Sequence, residues 1–267
     1  LSQISPKARL PFIKHLSKIE PEKFDQQMKT LLSPSNSQQP ALRLGYFTGE
    51  FGPFHKGHLN VAEQGLQNGL DFVFLLPTPH VANDPKVKNF YRPEWQERIA
   101  FSQAGSASHP NVMVFPRTSK GYKFVGRKGA LWSVIDDLEA RLLPEKPMTH
   151  LMGGDSFYRV LDRNLIEKYP RSRIVVERFG VPSLSHTGPY PDIKFVDSGL
   201  NQMVSATEAL QKLAIGLDAN EFHSDVKRLV EKTPRYVKHL EHTRKSYEGM
   251  KQNLAMLENK ERTGVAI

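Results

Sequence analysis

Short apolar runs alternate along the chain with longer segments in which apolar residues recur at helical spacing. The runs predict six strands, at 43–47, 70–77, 111–116, 149–154, 173–179 and 193–198. The longer segments predict helices between them, at 58–69, 93–105, 131–143, 156–169 and 205–216. Near-continuous apolar strands that alternate with helices are typical of a parallel sheet covered on both faces. We therefore predict an α/β fold.

The two ends of the chain differ from this alternating centre. Residues 1–32 carry apolar positions at helical spacing, and a turn-rich stretch, SPSNSQQP, follows them. The end of the chain is charged and helix-prone. The predicted architecture is a Rossmann-like doubly wound parallel sheet over 43–240, a helical extension and linker over 1–42, and a charged helical tail over 241–267.

The amino-acid composition indicates which cellular compartment to expect. The 267 residues include no cysteine, which excludes disulfides and thiolate metal sites and fits a reducing compartment. No apolar run is long enough to cross a membrane, and the first residues lack the apolar core of a signal peptide. We expect a cytoplasmic protein without a membrane partner, and a homo-oligomer is a further expectation.

The net charge of +9 fits a solvated basic surface, and it also suits nucleic acid, anionic lipid or phosphorylated small molecules as partners. Lysine and arginine are spread along the chain without a dense basic block. The sequence also lacks the aromatic signature of RNA-binding domains. We therefore expect a phosphorylated small molecule and no nucleic-acid polymer.

The stretch GYFTGEFGPFHKGHL, which begins at Gly45, is the strongest candidate for chemistry. It follows the first predicted strand, where sheets of this kind bind ligands. Its glycines allow a tight turn, and the helix that begins near Gly57 directs N–H groups and a positive dipole end outward. His55, Lys56 and His58 add donors and charge, which suits a polyphosphate. Two histidines are too few for a zinc site, and the structural alternative is a hydrogen-bonded turn histidine.

The segment GEFGPFHKGHL resembles the GxFxPxHxGH signature of the HxGH nucleotidylyltransferase superfamily. The resemblance covers about 43–240 and is strongest to nicotinate or nicotinamide mononucleotide adenylyltransferases. Weaker stretches follow in the order that this family shows: LDFVFLLPTP, WQERIAF, LWSVIDDL, HLMGGDSFYRV, RIVVERFGVP and MVSATEAL.

This resemblance implies that ATP lies with its triphosphate over the glycine turn. The phosphate of a mononucleotide attacks the α-phosphorus and pyrophosphate leaves, so catalysis comes mainly from positioning and charge stabilisation. His58 is expected at the α-phosphate and His55 at the triphosphate oxygens. Mg²⁺ is expected to be held mostly by phosphate oxygens and water, without a protein metal site.

The resemblance extends to two sets of binding residues. Those expected to bind ATP are Gly49, Phe51, Gly57, Gly153, Asp155, Arg178, Ser205 and Thr207. Those expected to bind the mononucleotide are Trp132, Lys86, Lys88 and Arg98. Several have structural alternatives: Asp155 could cap a helix, Trp132 could fill the core, the two lysines could be solvated, and Arg98 could lie on a helix surface.

The last stretch departs from the family pattern SSTxIR. Ala206 replaces its second serine and Leu210 replaces its arginine, which would grip the terminal phosphates. Lys212 lies about 200° further around the helix, so simple replacement is not expected, although Lys56 could compensate. Ser205 is predicted to be the N-cap of this helix.

Three functions remain open at this point. The first is an adenylyltransferase that joins ATP to nicotinamide or nicotinate mononucleotide. The second is a catalytically degenerate nucleotide-binding module with a regulatory or partner-binding role. The third is a related transferase that uses phosphopantetheine or CTP, and the GGDS and RFGVP stretches favour it less.

Overall fold

The computed structural model describes residues 43–78, 95–114, 135, 147–161, 165–168, 171–177, 192–200 and 204–263. The predicted extension over 1–42 lies outside these residues. The predicted helix at 131–143 also lies outside them except for Ile135, which is helical and buried. The division of the chain into an extension, a domain and a tail stays a prediction.

All six predicted strands are present and form one parallel sheet. They are β1 (Leu44–Gly49), β2 (Phe72–Pro77), β3 (Val112–Val114), β4 (Thr149–Gly153), β5 (Arg173–Glu177) and β6 (Ile193–Asp197). Their order is β3-β2-β1-β4-β5-β6, and each neighbouring pair is parallel. This is the strand order of a doubly wound Rossmann-type sheet, so the predicted fold class is confirmed.

Helices of the described residues connect or follow these strands. They are α1 (Lys56–Gln67), α2 (Trp95–Gly105), α3 (Gly154–Leu161), α4 (Leu165–Lys168), α5 (Ala206–Ala214), α6 (Ser224–Lys232) and α7 (Pro234–Thr263). Of the helix predicted at 156–169, the structure describes α3 up to Leu161 and α4 from Leu165, and residues 162–164 and 169 lie outside the described part of the chain. The last helix, α7, runs without a break past residue 240.

The order in which the chain adds strands to the sheet reverses between β1 and β4. From β1 the chain moves outward through β2 and β3, and it then returns to the other side of β1 to continue with β4, β5 and β6. In a doubly wound sheet, ligands bind at the carboxyl ends of the strands beside this switch point. Here those ends are Gly49 of β1 and Gly153 of β4, where the chain turns toward α1 and α3.

Apolar side chains cover both faces of the sheet. The larger cluster joins β1, β2 and β3 to α1, α2, α5, α6 and the start of α7. A smaller cluster lies against α3 and α4, with Met152, Phe157, Ile166 and Val175 at its centre. Every residue of β2 is buried, which explains its uninterrupted apolar sequence. Among the described helices, none is long and apolar enough to cross a membrane.

Candidate active site at the β1–α1 turn

The chain makes an unusual turn between β1 and α1. Phe51 has a positive φ of 46°, which side chains other than glycine adopt rarely. Its ring is 1% exposed and packs edge-on against Phe47 and Phe54, at centroid distances of 5.1 and 5.5 Å. A Cβ atom at Gly49 would lie 2.5 Å from the same ring. Aromatic packing therefore fixes this turn, and only glycine fits at the end of β1.

His55 and His58 form the N-terminal cap of α1 together. His55 is the N-cap residue, and its Nδ1 accepts a hydrogen bond from the backbone N–H of His58 at 3.3 Å. The Nδ1 of His58 accepts one from the backbone N–H of His55, also at 3.3 Å. The two rings are stacked, with centroids 3.7 Å apart and planes 20° apart. This reciprocal arrangement is a capping box built from two imidazoles.

The cap assigns the tautomer of each histidine. A ring nitrogen that accepts a hydrogen bond carries no proton, so the proton of each neutral ring lies on Nε2. Each Nε2–H can then donate to an oxygen anion without breaking the cap. Protonation of either ring at Nδ1 would convert this acceptor into a donor that faces a backbone N–H, and the hydrogen bond would be lost. The cap therefore fixes the orientation of both imidazole rings.

The histidines differ in their surroundings. His55 is buried, with 5% exposure, whereas His58 is half-buried. The His58 ring meets the ring of Phe51 edge-on at 5.1 Å and lies 5.3 Å from the ring of Phe54. Apolar walls lower the local dielectric constant and strengthen hydrogen bonds made inside them. The turn that positions His58 also shields one side of it from water.

The N-termini of two helices adjoin at this site. A Cβ atom at Gly57 would lie 3.0 Å from the His55 ring and 3.3 Å from Cβ of Val204, which directly precedes the start of α5. Ser205 is the N-cap of α5, as predicted, although its hydroxyl makes no capping hydrogen bond. Thr207, in the first turn, is exposed. Two adjoining helix N-termini favour an anion beside them.

The second signature takes a different form from the family pattern. Leu210 is 2% exposed and belongs to the main apolar cluster, so the position of the family's arginine is part of the core. Lys212 forms ion pairs with Glu208, at 3.2 Å, and with Glu221. The backbone carbonyl of Glu221 accepts a hydrogen bond of 2.8 Å from the N–H of Lys56, the first residue of α1. The sequence gives no signal for this contact, because it involves only the backbone of Glu221.

The end of β4 supplies two of the predicted residues. Gly153 is the last residue of the strand, and Asp155 lies half-buried in the first turn of α3. A carboxylate in that turn is stabilised by the helix dipole. Because β4 is the neighbour of β1, this turn lies beside the histidine turn at the switch point. A role of Asp155 toward a ribose stays a prediction.

Arg98 connects the ends of two strands. Its side chain is fully buried in α2, so the alternative of an exposed helix surface is wrong. Its Nη1 donates to the carbonyl of Thr78 at 2.8 Å. The N–H and the hydroxyl of Thr78 both donate to the carbonyl of Gly49, at 2.8 and 3.2 Å. Arg98 therefore helps to hold the end of β2 against the end of β1, and its predicted contact with substrate stays a prediction.

Four predicted site residues lie outside the described part of the chain. They are Lys86, Lys88, Trp132 and Arg178. Within the described ranges, no group of three or more histidine, aspartate or glutamate side chains could hold a metal ion. The described site therefore consists of the histidine cap, the two helix N-termini and the turn after β4.

Fold and site together define a class of protein. The strand order is that of a nucleotide-binding sheet, and the paired histidines lie at its switch point beside two helix N-termini. Such a site suits the inner phosphates of a nucleotide, which is the group that nucleotidyltransferases act upon.

Comparison with known proteins agrees with this class. No family model matches the chain. A curated protein of Bacteroides fragilis (strain YCH46), named "Probable nicotinate-nucleotide adenylyltransferase", is 26% identical over 204 residues, which cover 72% of this chain and 92% of that protein. The resemblance to HxGH nucleotidylyltransferases and the prediction of an enzyme of the nucleotidyltransferase class are thereby confirmed.

Solved structures extend the likeness to the fold. Nicotinic acid mononucleotide adenylyltransferase of Plasmodium falciparum in complex with NaAD matches with a TM-score of 0.54 at 13% identity. The same enzyme in complex with APC matches with a TM-score of 0.52, also at 13% identity. Each match covers 73% of this chain and 97% of the Plasmodium chain. At this identity, the likeness concerns the architecture of the domain.

Proposed function

We propose that this protein is an adenylyltransferase that joins ATP to nicotinate or nicotinamide mononucleotide and releases pyrophosphate, a step of NAD biosynthesis. One observation carries the proposal: the reciprocal cap of His55 and His58, which places two Nε2–H donors at the switch point of the sheet. The name of the bacterial relative favours nicotinate mononucleotide as the acceptor.

The chemistry needs no covalent intermediate. An oxygen of the mononucleotide phosphate forms a bond to the α-phosphorus of ATP, the bond from that phosphorus to the bridging oxygen breaks, and the electron pair leaves with pyrophosphate. His58 donates to the α-phosphate as charge moves through it, and His55 donates to the oxygens of the triphosphate. Because both donors are fixed before ATP binds, they need little reorganisation during the reaction.

The helix N-termini support the same assignment. The first turn of α1 already uses the N–H groups of Lys56 and His58, so α1 would act on the triphosphate through the positive end of its dipole, and the first turn of α5 would add backbone N–H groups. Mg²⁺, when bound with ATP, neutralises phosphate charge, and phosphate oxygens and water would supply most of its ligands. Asp155 would bind a ribose hydroxyl from the end of β4.

The test is a pyrophosphate-release assay with ATP and Mg²⁺, in which nicotinate mononucleotide is compared with nicotinamide mononucleotide. We expect turnover with at least one acceptor, with formation of the matching dinucleotide verified by mass spectrometry. If neither acceptor gives turnover, the proposal is contradicted. A protein without added mononucleotide is the control for ATP hydrolysis.

The burial of Leu210 favours a second candidate, a nucleotide-binding module that has lost catalysis. A leucine in the core cannot provide the charge that an arginine would give the leaving pyrophosphate. This candidate predicts that calorimetry detects ATP binding while the release assay detects no turnover. Turnover that disappears in the variant His58→Ala would exclude it.

A further inference from the structure

Lys212 belongs to the last turn of α5, and its ammonium group pairs with two carboxylates, one from α5 and one from the loop that contacts α1. Glu208 is the third residue of α5, and Lys212 Nζ lies 3.2 Å from its Oε1. Helical side chains lean toward the N-terminus, so the long lysine stem carries the ammonium group back beside the first turn. The position of the Lys212 Cα atom around the helix axis therefore does not show where the charge of its side chain lies.

Glu221 connects this ammonium group to the histidine cap. Its carboxylate pairs with Lys212, and its backbone carbonyl accepts from the N–H of Lys56, directly after His55. The Glu221 side chain is buried, and its Oε2 has no hydrogen-bond partner among the described residues. Burial is the largest influence and raises the pKa of the Glu221 carboxyl, but the hydrogen bond from Lys212, a backbone hydrogen bond and the charges of Lys212 and Lys56 together lower the net pKa. The pair is therefore an ionised pair.

The pair leaves Lys212 able to bind a further anion. An ammonium group has three N–H donors, and the two carboxylates use two of them. About a third of the Lys212 side chain is exposed, so a ligand can reach it. The positive charges of Lys56 and Lys212 balance the negative charges of Glu208 and Glu221. An anion that arrives at the helix N-termini therefore meets no excess negative charge from this group.

We propose that Lys212 binds the terminal phosphates of ATP in place of the arginine that Leu210 replaces, with Glu208 and Glu221 holding it in position. This inference rests on the proposed binding of ATP over the histidine cap. It assigns Lys212 to the β- and γ-phosphates only, because the α-phosphate belongs to His58. AMP, which lacks those two phosphates, should not depend on this residue.

The test measures the dissociation constants of ATP and AMP by calorimetry for the full chain. The variant Lys212→Met keeps most of the apolar stem and removes the charge. We expect it to bind ATP about tenfold more weakly and AMP with unchanged affinity, while Lys212→Arg restores ATP binding to within about threefold. The thermal midpoint of each variant is measured to show that it is folded.

Lys227→Met is the matched control. Lys227 is a residue of α6 and forms an ion pair with Asp218 at 2.6 Å. Like Lys212, it therefore pairs with an acidic residue of the loop between α5 and α6. Its loss removes the same charge, and ATP affinity should stay within about twofold. Equal weakening of ATP and AMP in Lys212→Met, unchanged ATP binding, or a Lys212→Arg variant that behaves like Lys212→Met would overturn the proposal.

The outcomes separate this proposal from the proposed reaction. If the unaltered protein binds ATP but shows no turnover, the reaction is wrong and the role of Lys212 is still decided by the ATP and AMP measurements. If turnover occurs and Lys212→Met binds ATP normally, the reaction stands and the role of Lys212 is wrong. If the unaltered protein binds no ATP, both are wrong.

Discussion

The two ends of the sheet use histidine in opposite ways. At the carboxyl end, His55 and His58 cap a helix through Nδ1, which leaves the ring proton of each on Nε2. Toward the amino end, His150 of β4 is 3% exposed and stacks on Tyr46 of β1, its register partner, with ring centroids 4.6 Å apart. One group of histidines is held by the backbone at a turn, and the other histidine is held by packing inside the sheet.

The charges near His150 make the contrast sharper. Arg171 and Arg173 are both buried, and Arg171 lies over the Tyr46 ring with Cζ 5.8 Å from its centroid. Burial, followed by the positive charges of Arg173 and then Arg171, lowers the pKa of His150 well below its usual value. A neutral imidazole is therefore the stable form in the folded protein. A buried histidine near cations therefore serves stability, whereas a histidine in a helix cap can serve catalysis.

The largest expected effect comes from exchanging one histidine at each end for alanine. In the proposed reaction, His58→Ala removes the donor to the α-phosphate, and kcat should fall by about 10²–10³. His150→Ala removes a stacked ring, so its free energy of unfolding should fall by about 1–3 kcal/mol while kcat of the folded enzyme stays within about threefold. Pyrophosphate release and urea unfolding of both variants measure the two effects.

These two variants separate the roles of the two ends of the sheet. If His150→Ala loses as much activity as His58→Ala without unfolding, the amino end of the sheet contributes to the reaction. If His58→Ala keeps its activity, the cap does not bind the reacting phosphate.

The next effect concerns Leu210, whose place in a phosphate-binding motif disagrees with its contacts in the core. Leu210 lies in the second signature, but it is buried in the main apolar cluster. Leu210→Ala should therefore lower the free energy of unfolding by about 2–4 kcal/mol, which is typical of a cavity in a core. Leu210→Met preserves volume and should cost less than about 1.5 kcal/mol. Urea unfolding measures both, and a destabilisation of Leu210→Ala below 0.5 kcal/mol, on the order of a surface substitution, would contradict its place in the core.

The parts of this molecule that follow from local pattern could be predicted from the sequence. The six strands are short and mostly apolar segments, and the histidine cap lies in a stretch of closely spaced motif residues. Contacts between distant residues could not be predicted. The carbonyl of Glu221 meets the N–H of Lys56 across 165 positions of sequence, and the ammonium of Lys212 is placed by two carboxylates, not by its own helical angle.

The helix predicted at 156–169 begins two residues earlier, at Gly154 of α3. Its apolar spacing correctly predicts a buried face, because Phe157 and Ile166 belong to the smaller apolar cluster. Periodicity in a window reports which residues face the core, and it does not report where an element begins or ends. Arg98 shows a further limit, since its charge predicted exposure or substrate binding while its side chain holds two strand ends together.

A smaller effect is expected from pH. His150 has a lowered pKa in the folded protein, whereas in the unfolded chain it takes up a proton near pH 6.5. As pH falls below about 6.5, the unfolded state binds a proton that the folded state does not, so stability is complete above this pH and declines below it. From pH 7 to 5.5, this one histidine should cost the protein about 1 kcal/mol.

The variant His150→Phe isolates that contribution. Phenylalanine retains a ring to stack on Tyr46 and cannot be protonated, so the difference in unfolding free energy between the variant and the unaltered protein should grow as pH falls from 7 to 5.5. Other histidines, including His239 with its lowered pKa, contribute equally to both proteins and cancel. A difference that is constant over this range would show that His150 has an ordinary pKa.

The smallest effect is expected at the second helix N-terminus. Ser205 is the N-cap of α5, and its hydroxyl makes no capping hydrogen bond, in contrast to the histidine cap of α1. An N-cap serine that bonds the helix usually contributes about 1 kcal/mol, so Ser205→Ala should cost less than about 0.5 kcal/mol in urea unfolding. If the hydroxyl is instead reserved for a phosphate oxygen, the affinity for ATP should fall about threefold to tenfold in this variant while stability is unchanged. A loss of 1 kcal/mol or more in stability with normal ATP binding would show that Ser205 serves the helix, and that only the histidine cap at this end of the sheet serves the ligand.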